Sequence, residues 1–321
     1  MKRSLVTGAT GFIGRALCRA LHERGDKVIA ISLHGGALAP ELPVQALDLG
    51  SGEPLDPLLL RGVDYVYHLA GIAHQFADFE RYQAVNVRGT LALAEAASRA
   101  GVEQFVFLSS VKAMGPADTT GIRAEADVSD IPRDSDPYGW SKQRAEQGLL
   151  ANFADSAMRI HIVRPALVYG PQAKGNLATL MRASRFSQGR PPQGGARSMI
   201  ALPDLIALLL QLERDVRADV HTWIATDGEQ YSSRRLYDAL RNAQAREPAA
   251  LALPVILWRL ACRLMDLRTG AANGSTWQKL TGTELYSNQK ILEELRFTPK
   301  WQFEDLAMSM IEYDKGHGRE E

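Results

Sequence analysis

The sequence predicts an α/β fold, a doubly wound and mainly parallel sheet followed by a smaller, mostly helical unit. Three observations carry this. Short apolar runs without polar alternation, at Ser4–Val6, Val28–Ile31, Asp64–Leu69, Gln104–Leu108 and Met158–Val163, read as strands buried on both faces. Amphipathic segments of helical period lie between them, so strands and helices alternate as crossover connections require. After about residue 170 the pattern changes: Gly170-Pro171 and 189–195 are loop-forming, and most of the remaining chain has helical period.

The strand Ser4–Val6 runs into a helix over 11–24 that turns Ile13, Ala16, Leu17, Ala20 and Leu21 inward. A long helix is expected over 79–100, stopped by Gly101. Asp136 suits an N-cap and Pro137 the first position of the next helix. The boundary at 170 divides the chain into 1–170 and 171–321, with 198–228 expected to return to the first unit because His221–Ala225 reads as one more strand. Helices are predicted at about 176–187, 203–213, 232–244, 254–267, 287–295 and 302–315.

With 37 Lys+Arg against 37 Asp+Glu, the chain lacks the surplus cations that nucleic acid as main partner requires. No window approaches 18 uninterrupted apolar residues, so no transmembrane segment is expected, and the start of the chain is too short in apolar residues for a signal peptide. Cys18 and Cys262 form no CxxC pair, which fits a reducing, cytoplasmic setting; no metal site is expected. In 254–267, Ile256, Leu257, Leu260, Leu264 and Leu267 form one apolar stripe with arginines opposite. Ordinary packing on the second unit is the expectation for this helix, and a place on a membrane surface is the alternative.

Thr7-Gly8-Ala9-Thr10-Gly11-Phe12-Ile13-Gly14 joins the first strand to the first helix. Gly8 permits a sharp turn, Gly11 close approach of backbone to a pyrophosphate, and Gly14 tight helix–strand packing, while the helix N-terminus offers free N–H groups. Dinucleotide binding is the expectation, with Phe12 and Ile13 beside the glycines. The second strand ends in Ile31-Ser32-Leu33-His34 without the carboxylate that accepts from ribose hydroxyls in NAD sites. Ser32 and His34 as donors to a 2′-phosphate tilt the choice toward NADP over NAD. Asp48-Leu49 either reaches the adenine edge or, through Asp48, caps a loop.

Ser109-Ser110 stands at the carboxyl end of a strand, where open α/β sheets place ligands. Tyr138 and Lys142, four residues apart, share a helix face, so the ammonium is expected to lower the phenol's pKa for proton exchange with a substrate oxygen. Together with the glycine turn, this makes the sequence resemble the extended short-chain dehydrogenase/reductase family, whose members include nucleotide-sugar epimerases, dehydratases and ketoreductases. His68-Leu69-Ala70-Gly71, Asn86-Val87-Arg88-Gly89-Thr90 and Arg164-Pro165 through Gly170-Pro171 match further family segments.

The resemblance implies a Rossmann-like dinucleotide-binding unit and a substrate unit for a nucleotide sugar. It implies Tyr138 as acid/base, Lys142 on the nicotinamide ribose and Ser110 rather than Ser109 on the reacting oxygen. Leu69, Ala70, Gly71 and Pro165 would flank the cofactor. Asn86 would join the ribose-side polar network, or serve as a helix amide bonding a neighbouring loop. Asn176 would lie near the substrate phosphates and Arg197 on the pyrophosphate, against a surface arginine as the plain alternative; His74 faces the sugar or solvent. Three departures are visible: Met114 stands where many epimerases carry a tyrosine, 275–281 offers only Lys279 where a second arginine is common, and the loop 189–197 is short. The expectation is an oxidoreductase acting at C4 of a nucleotide-linked hexose, first a 4-ketoreductase of a UDP-4-keto-6-deoxy sugar for surface polysaccharide. A UDP-hexose 4-epimerase is the alternative and a non-enzymatic cofactor sensor or scaffold the third reading. A homodimer through the helices near 79–100 and 137–154 is also implied.

Overall fold

The computed structural model describes residues 1–73, 77–116, 121–173, 176–186, 189–247, 254–269 and 274–317. Its strands are β1 (Arg3–Thr7), β2 (Lys27–Ser32), β3 (Gly36–Ala39), β4 (Leu42–Ala46), β5 (Tyr65–His68), β6 (Gln104–Leu108), β7 (Ile122–Arg123), β8 (Arg159–Pro165), β9 (Leu167–Tyr169), β10 (Ala196–Arg197), β11 (Met199–Ala201), β12 (Val220–Ala225) and β13 (Thr283–Tyr286). Eight of them form one sheet in the order β12-β8-β6-β5-β1-β2-β4-β3. Every neighbouring pair is parallel except β3 and β4.

The unbroken apolar runs have a simple cause. Successive residues of a strand point to opposite faces, so a strand covered on both sides needs apolar residues at every position. One face gathers Val6, Ala30, Tyr67, Val106, Val163 and Trp223. There they meet α1 (Phe12–Glu23), through Leu17, Cys18 and Leu21. The other face gathers Leu5, Ile29, Val66, Phe105, Phe107 and Ile160.

The segment expected as one helix over 79–100 is three pieces: α2 (Phe79–Tyr82), a π-helical stretch Gln83–Gly89 and α3 (Thr90–Arg99). A Cβ at Gly89 would lie 2.7 Å from the Leu49 carbonyl, so this wide turn brings the helix backbone against the loop after β4. α4 (Pro137–Phe153) packs beside α3; Leu93 and Leu149 are core residues, whereas Leu150 is exposed.

The second half holds α5 (Asn176–Phe186), α6 (Leu202–Gln211), α7 (Ser233–Ala243), α8 (Val255–Thr269), α9 (Ser275–Thr281), α10 (Gln289–Glu293) and α11 (Phe303–His317). α6 joins the α1 face of the large sheet, and β12 pairs with β8 along that sheet's outer edge. α5, α7 and α11 enclose a separate core around Tyr169, Tyr231 and Phe303. The short strands β10-β13-β7 form a small parallel sheet, and β9 pairs with β11. Helix α8 overturns the expectation of ordinary packing: among its described side chains only Cys262 and Asp266 are buried, and its leucines face outward. None of the described helices is long and apolar enough to cross a membrane.

Candidate active site

Because the strands are parallel, Thr7, Ser32, His68, Leu108 and Pro165 end on the same edge of the sheet, and the segments after them form the site. Gly8 has φ +70°, and a Cβ there would stand 2.7 Å from the Ala70 nitrogen in the loop after β5. At Gly14 it would stand 2.1 Å from the Gly8 carbonyl oxygen, so the helix approaches the turn too closely for any side chain. Gly11 donates its N–H to that same carbonyl at 2.9 Å. A Cβ on Gly11 would meet only this one atom, which leaves its other side open. No side chain caps α1 and no acid occupies its first turn, so its leading N–H groups present partial positive charge to an anion. Phe12 packs beside the Tyr169 core, and Ile13 beside the first sheet core.

At the end of β2 the structure gives Ser32 a partner of its own. The Ser32 hydroxyl donates to the Gly35 carbonyl at 3.2 Å. A hydroxyl has a single proton, so in this arrangement Ser32 is left as an acceptor. His34 is exposed in the turn before β3. Asp48 accepts from Arg81 at 2.9 and 3.1 Å and from the Gly50 N–H at 2.8 Å. Burial tends to raise this carboxyl, but Arg81 and the amide outweigh it and hold it below its ordinary range. Of the two readings of Asp48, loop capping is the one whose bonds are formed, and Leu49 packs beneath Gly89.

Tyr138 and Lys142 stand in the first turns of α4, which Asp136 caps by accepting from the Gly139 N–H at 2.9 Å. Ser110 begins the short 3-10 turn Val111–Met114, accepts from the Lys112 N–H at 3.2 Å and lies near enough to the Tyr138 phenol to act on its pKa. The structure therefore brings Ser110, Tyr138 and Lys142 together at the carboxyl end of β6. Burial pushes the Tyr138 phenol up to about 12; the Ser110 hydroxyl works against this, while Asp136 and Tyr82 add to it. That corrects the expected lowering by Lys142, whose ammonium is directed elsewhere: it donates to the Leu108 carbonyl at 2.8 Å and lies 4.5 Å above the centre of the Phe107 ring. Burial pushes Lys142 down to about 8, with Glu146 pulling it back up.

Behind this cluster lies an ion pair whose acid, Glu146, no sequence motif disclosed. Glu146, one turn after Lys142, is buried and takes the Arg164 guanidinium through Nε at 3.0 and 3.1 Å and Nη2 at 2.6 Å. Ser109 donates to the same carboxylate, so the two adjacent serines face opposite ways. Arg164 also donates to the Glu125 carbonyl at 2.9 Å. An i, i+4 spacing to Lys142 was the available signal, but it does not reveal a partner on β8.

Gly71 sits above Asn86 and Lys142: a Cβ there would lie 3.1 Å from Asn86 Oδ1 and 3.3 Å from Lys142 Nζ. Asn86 bonds both the N–H and the carbonyl of Ile72, at 2.8 and 3.0 Å, and donates to the Ser141 hydroxyl at 2.9 Å. Its amide thus ties the loop after β5 to α4. Beneath Leu69 and Ala70 runs a one-way chain of protons. The Ala70 N–H donates to Thr7 Oγ1 at 3.2 Å, Thr7 stands 2.7 Å from His68 Nδ1, His68 Nε2 stands 2.8 Å from Thr90 Oγ1, and Thr90 donates to the Asn86 carbonyl at 2.7 Å. Since Thr90 has given away its proton, it must accept from Nε2–H, and Thr7 must donate to Nδ1. Burial, reinforced by Lys142, lowers His68 to about 3 and keeps it in this neutral tautomer.

The remaining predicted residues are more scattered. Pro165 is buried at the end of β8, where the adjoining Ala166 N–H bonds the Ala225 carbonyl at 3.0 Å. Arg197 lies half-buried on β10, donates to the Gln278 carbonyl at 3.3 Å and shares a register position with Glu284 of β13. Glu284 also pairs with Lys112 at 3.4 Å, which links this small sheet to the segment after Ser110. Met114 is fully buried, so the place of the missing tyrosine faces the core. The Asn176 side chain and His74 lie outside the described residues. Among the described residues no group of acids, histidines or cysteines could hold a metal ion.

A glycine cradle after the first strand and a Ser–Tyr–Lys cluster on the edge of the same parallel sheet define an extended short-chain dehydrogenase/reductase. The chain belongs to the NAD dependent epimerase/dehydratase family, whose profile matches residues 4–191. It is similar to a UDP-glucose 4-epimerase of Vibrio cholerae, 32% identical over 88% of this chain and 86% of that one. It is also similar to sterol demethylase protein B of Methylococcus capsulatus, 29% identical over 82% of this chain and 81% of that one. Among solved structures, MoeE5 in complex with UDP-glucuronic acid and NAD shares the fold, with a TM-score of 0.75, 24% identity and coverage of 98% and 99%.

Proposed function

We propose that the protein is an NAD-dependent 4-epimerase of a nucleotide-linked hexose. The observation that carries this is the assembled Ser110–Tyr138–Lys142 cluster in a chain related over most of its length to a UDP-glucose 4-epimerase. The cradle of Gly8, Gly11 and Gly14 fits a dinucleotide pyrophosphate, since a Cβ at Gly8 or Gly14 would fill it and the α1 N-terminus is uncapped. Ser32 as an acceptor favours NAD over the NADP that its residue type alone suggested. Bound there, the dinucleotide supplies reversible hydride exchange with the sugar C4.

The chain's own residues handle the proton and the charge. Ser110 holds the C4 oxygen, and Tyr138 takes its proton on oxidation and returns it on reduction. The phenol near 12 is protonated at neutral pH, so it is set to donate; to act as a base it needs positive charge nearby, for which the Lys142 ammonium has to turn from the Leu108 carbonyl toward it. Arg197 on β10 is the candidate for the substrate diphosphate, where a guanidinium matches the anion's paired oxygens.

One experiment tests the assignment. Purified protein is denatured and the released nucleotide identified, and native protein is given UDP-glucose without added cofactor. Bound NAD and formation of UDP-galactose are expected, because an epimerisation cycle has no net oxidation. Turnover only with added reduced cofactor, consumed one for one with a 4-keto sugar, would replace the epimerase by the ketoreductase. A tight dinucleotide complex inert toward sugars would favour a sensor.

A further inference from the structure

We propose that α8 is a membrane-docking helix whose outward face lies on an anionic lipid surface. The proposal goes beyond the reaction assigned above and holds whichever sugar the site takes. In an ordinary surface helix the apolar stripe faces the protein. Here the arrangement is reversed. Cys262 and Asp266 point inward, and Asp266 accepts from the Gly274 N–H at 2.8 Å, the Thr276 N–H at 3.0 Å and the Ser275 hydroxyl at 3.1 Å, which pins α8 to the start of α9. At 100° per residue, Ile256, Leu257, Leu260, Leu264 and Leu267 fall within an arc of about 100° on the opposite side. All five are exposed, Ile256 and Leu267 at 74%.

The charge pattern says what covers this face. Asp266 is the only acid in the helix and it is turned inward, so the outward side carries no negative group. Arg259 and Arg263 flank the leucines on one side and Arg268 on the other. All three are exposed, and among the described residues none has an ion-pair partner; Arg259 lies over the Trp277 ring at 5.2 Å. A leucine face rimmed by such arginines complements a surface with apolar depth and negative headgroups. Fifteen residues span only about 22 Å, short of the ~30 Å hydrocarbon core, so the helix lies on the membrane and does not cross it.

The test is flotation of the full chain with vesicles of phosphatidylcholine alone or of phosphatidylcholine and phosphatidylglycerol at 3:1. Leu260→Glu/Leu264→Glu places two acids on exposed positions, and its unchanged melting temperature would show that the fold is retained. Wild type is expected to float with the anionic vesicles, the double variant to bind at least ~10-fold more weakly, and Arg263→Gln and Arg268→Gln each to lose about fivefold, with all binding falling at high salt. Equal flotation of wild type and the double variant would overturn the proposal. So would absence of flotation, whether the wild type is monomeric or forms a dimer that the double variant dissolves, the latter assigning the face to a second copy of the chain.

Discussion

Replacing Lys142 with methionine gives a measurement in which stability and activity are expected to part. Burial lowers this lysine from 10.5 to about 8. At about 1.4 kcal/mol per pH unit, holding it charged in the fold costs about 3 kcal/mol at neutral pH. Below pH 8 both folded and unfolded chains carry the proton and the full cost applies. Between 8 and 10.5 the unfolded chain binds more protons, so wild-type stability from this group rises with pH. Lys142→Met removes that dependence, although the Leu108 carbonyl loses its 2.8 Å donor, which costs about 1–3 kcal/mol. The absolute difference at pH 7 is therefore small, and the informative quantity is its slope. Urea unfolding of both proteins from pH 7 to pH 10 should show wild type gaining about 2–3 kcal/mol on the variant, while turnover of the variant is lost. Parallel stability curves would refute the buried, depressed ammonium.

The same geometry sets three further outcomes. Tyr138→Phe should lower turnover at least ~100-fold with dinucleotide affinity within about threefold by calorimetry, and retained turnover would remove the phenol from the chemistry. Glu146→Gln leaves the Arg164 guanidinium buried without its counter-charge, so unfolding free energy should fall by about 3–5 kcal/mol. It should also move the alkaline limb of the pH–rate profile lower, since Glu146 is what raises Lys142; an unmoved limb contradicts that coupling. Gly14→Ala, with its Cβ 2.1 Å from the Gly8 oxygen, should lose dinucleotide binding at least tenfold in a fluorescence titration, and near-native affinity would show that the cradle tolerates displacement.

The sheet was legible because its strands carry their burial in plain composition: Phe105 and Val106 point to opposite cores and both must be apolar. The glycine turn and the Tyr138–Lys142 spacing were legible because backbone approach and helical period leave local traces. The hidden features were non-local. Glu146 looks like an ordinary helix surface residue until β8 places Arg164 against it. Ser32 reads as a free donor until the fold sets the Gly35 carbonyl against it, and Asp48 reads as open to a ligand until Arg81 is placed on it. Two-residue strands such as β7 and β10 are too short for any period to show. The π-helical turn at Gln83–Gly89 has no sequence period of its own, since it answers to Leu49 across the gap.

The pairing of β12 with β8 has a consequence for synthesis on the ribosome. The strand that forms the sheet's outer border is drawn from Val220–Ala225, after the chain has already built α5, β10 and β11 elsewhere. Until then a nascent chain holds β8 as an open border, with Ile160, Ile162 and Val163 beside unpaired backbone groups. Fragments that stop before Val220 should thus be sticky rather than half-functional, because β12 covers that apolar border, seats Trp223 against His161 and leaves a new border that begins with half-exposed His221 and Thr222.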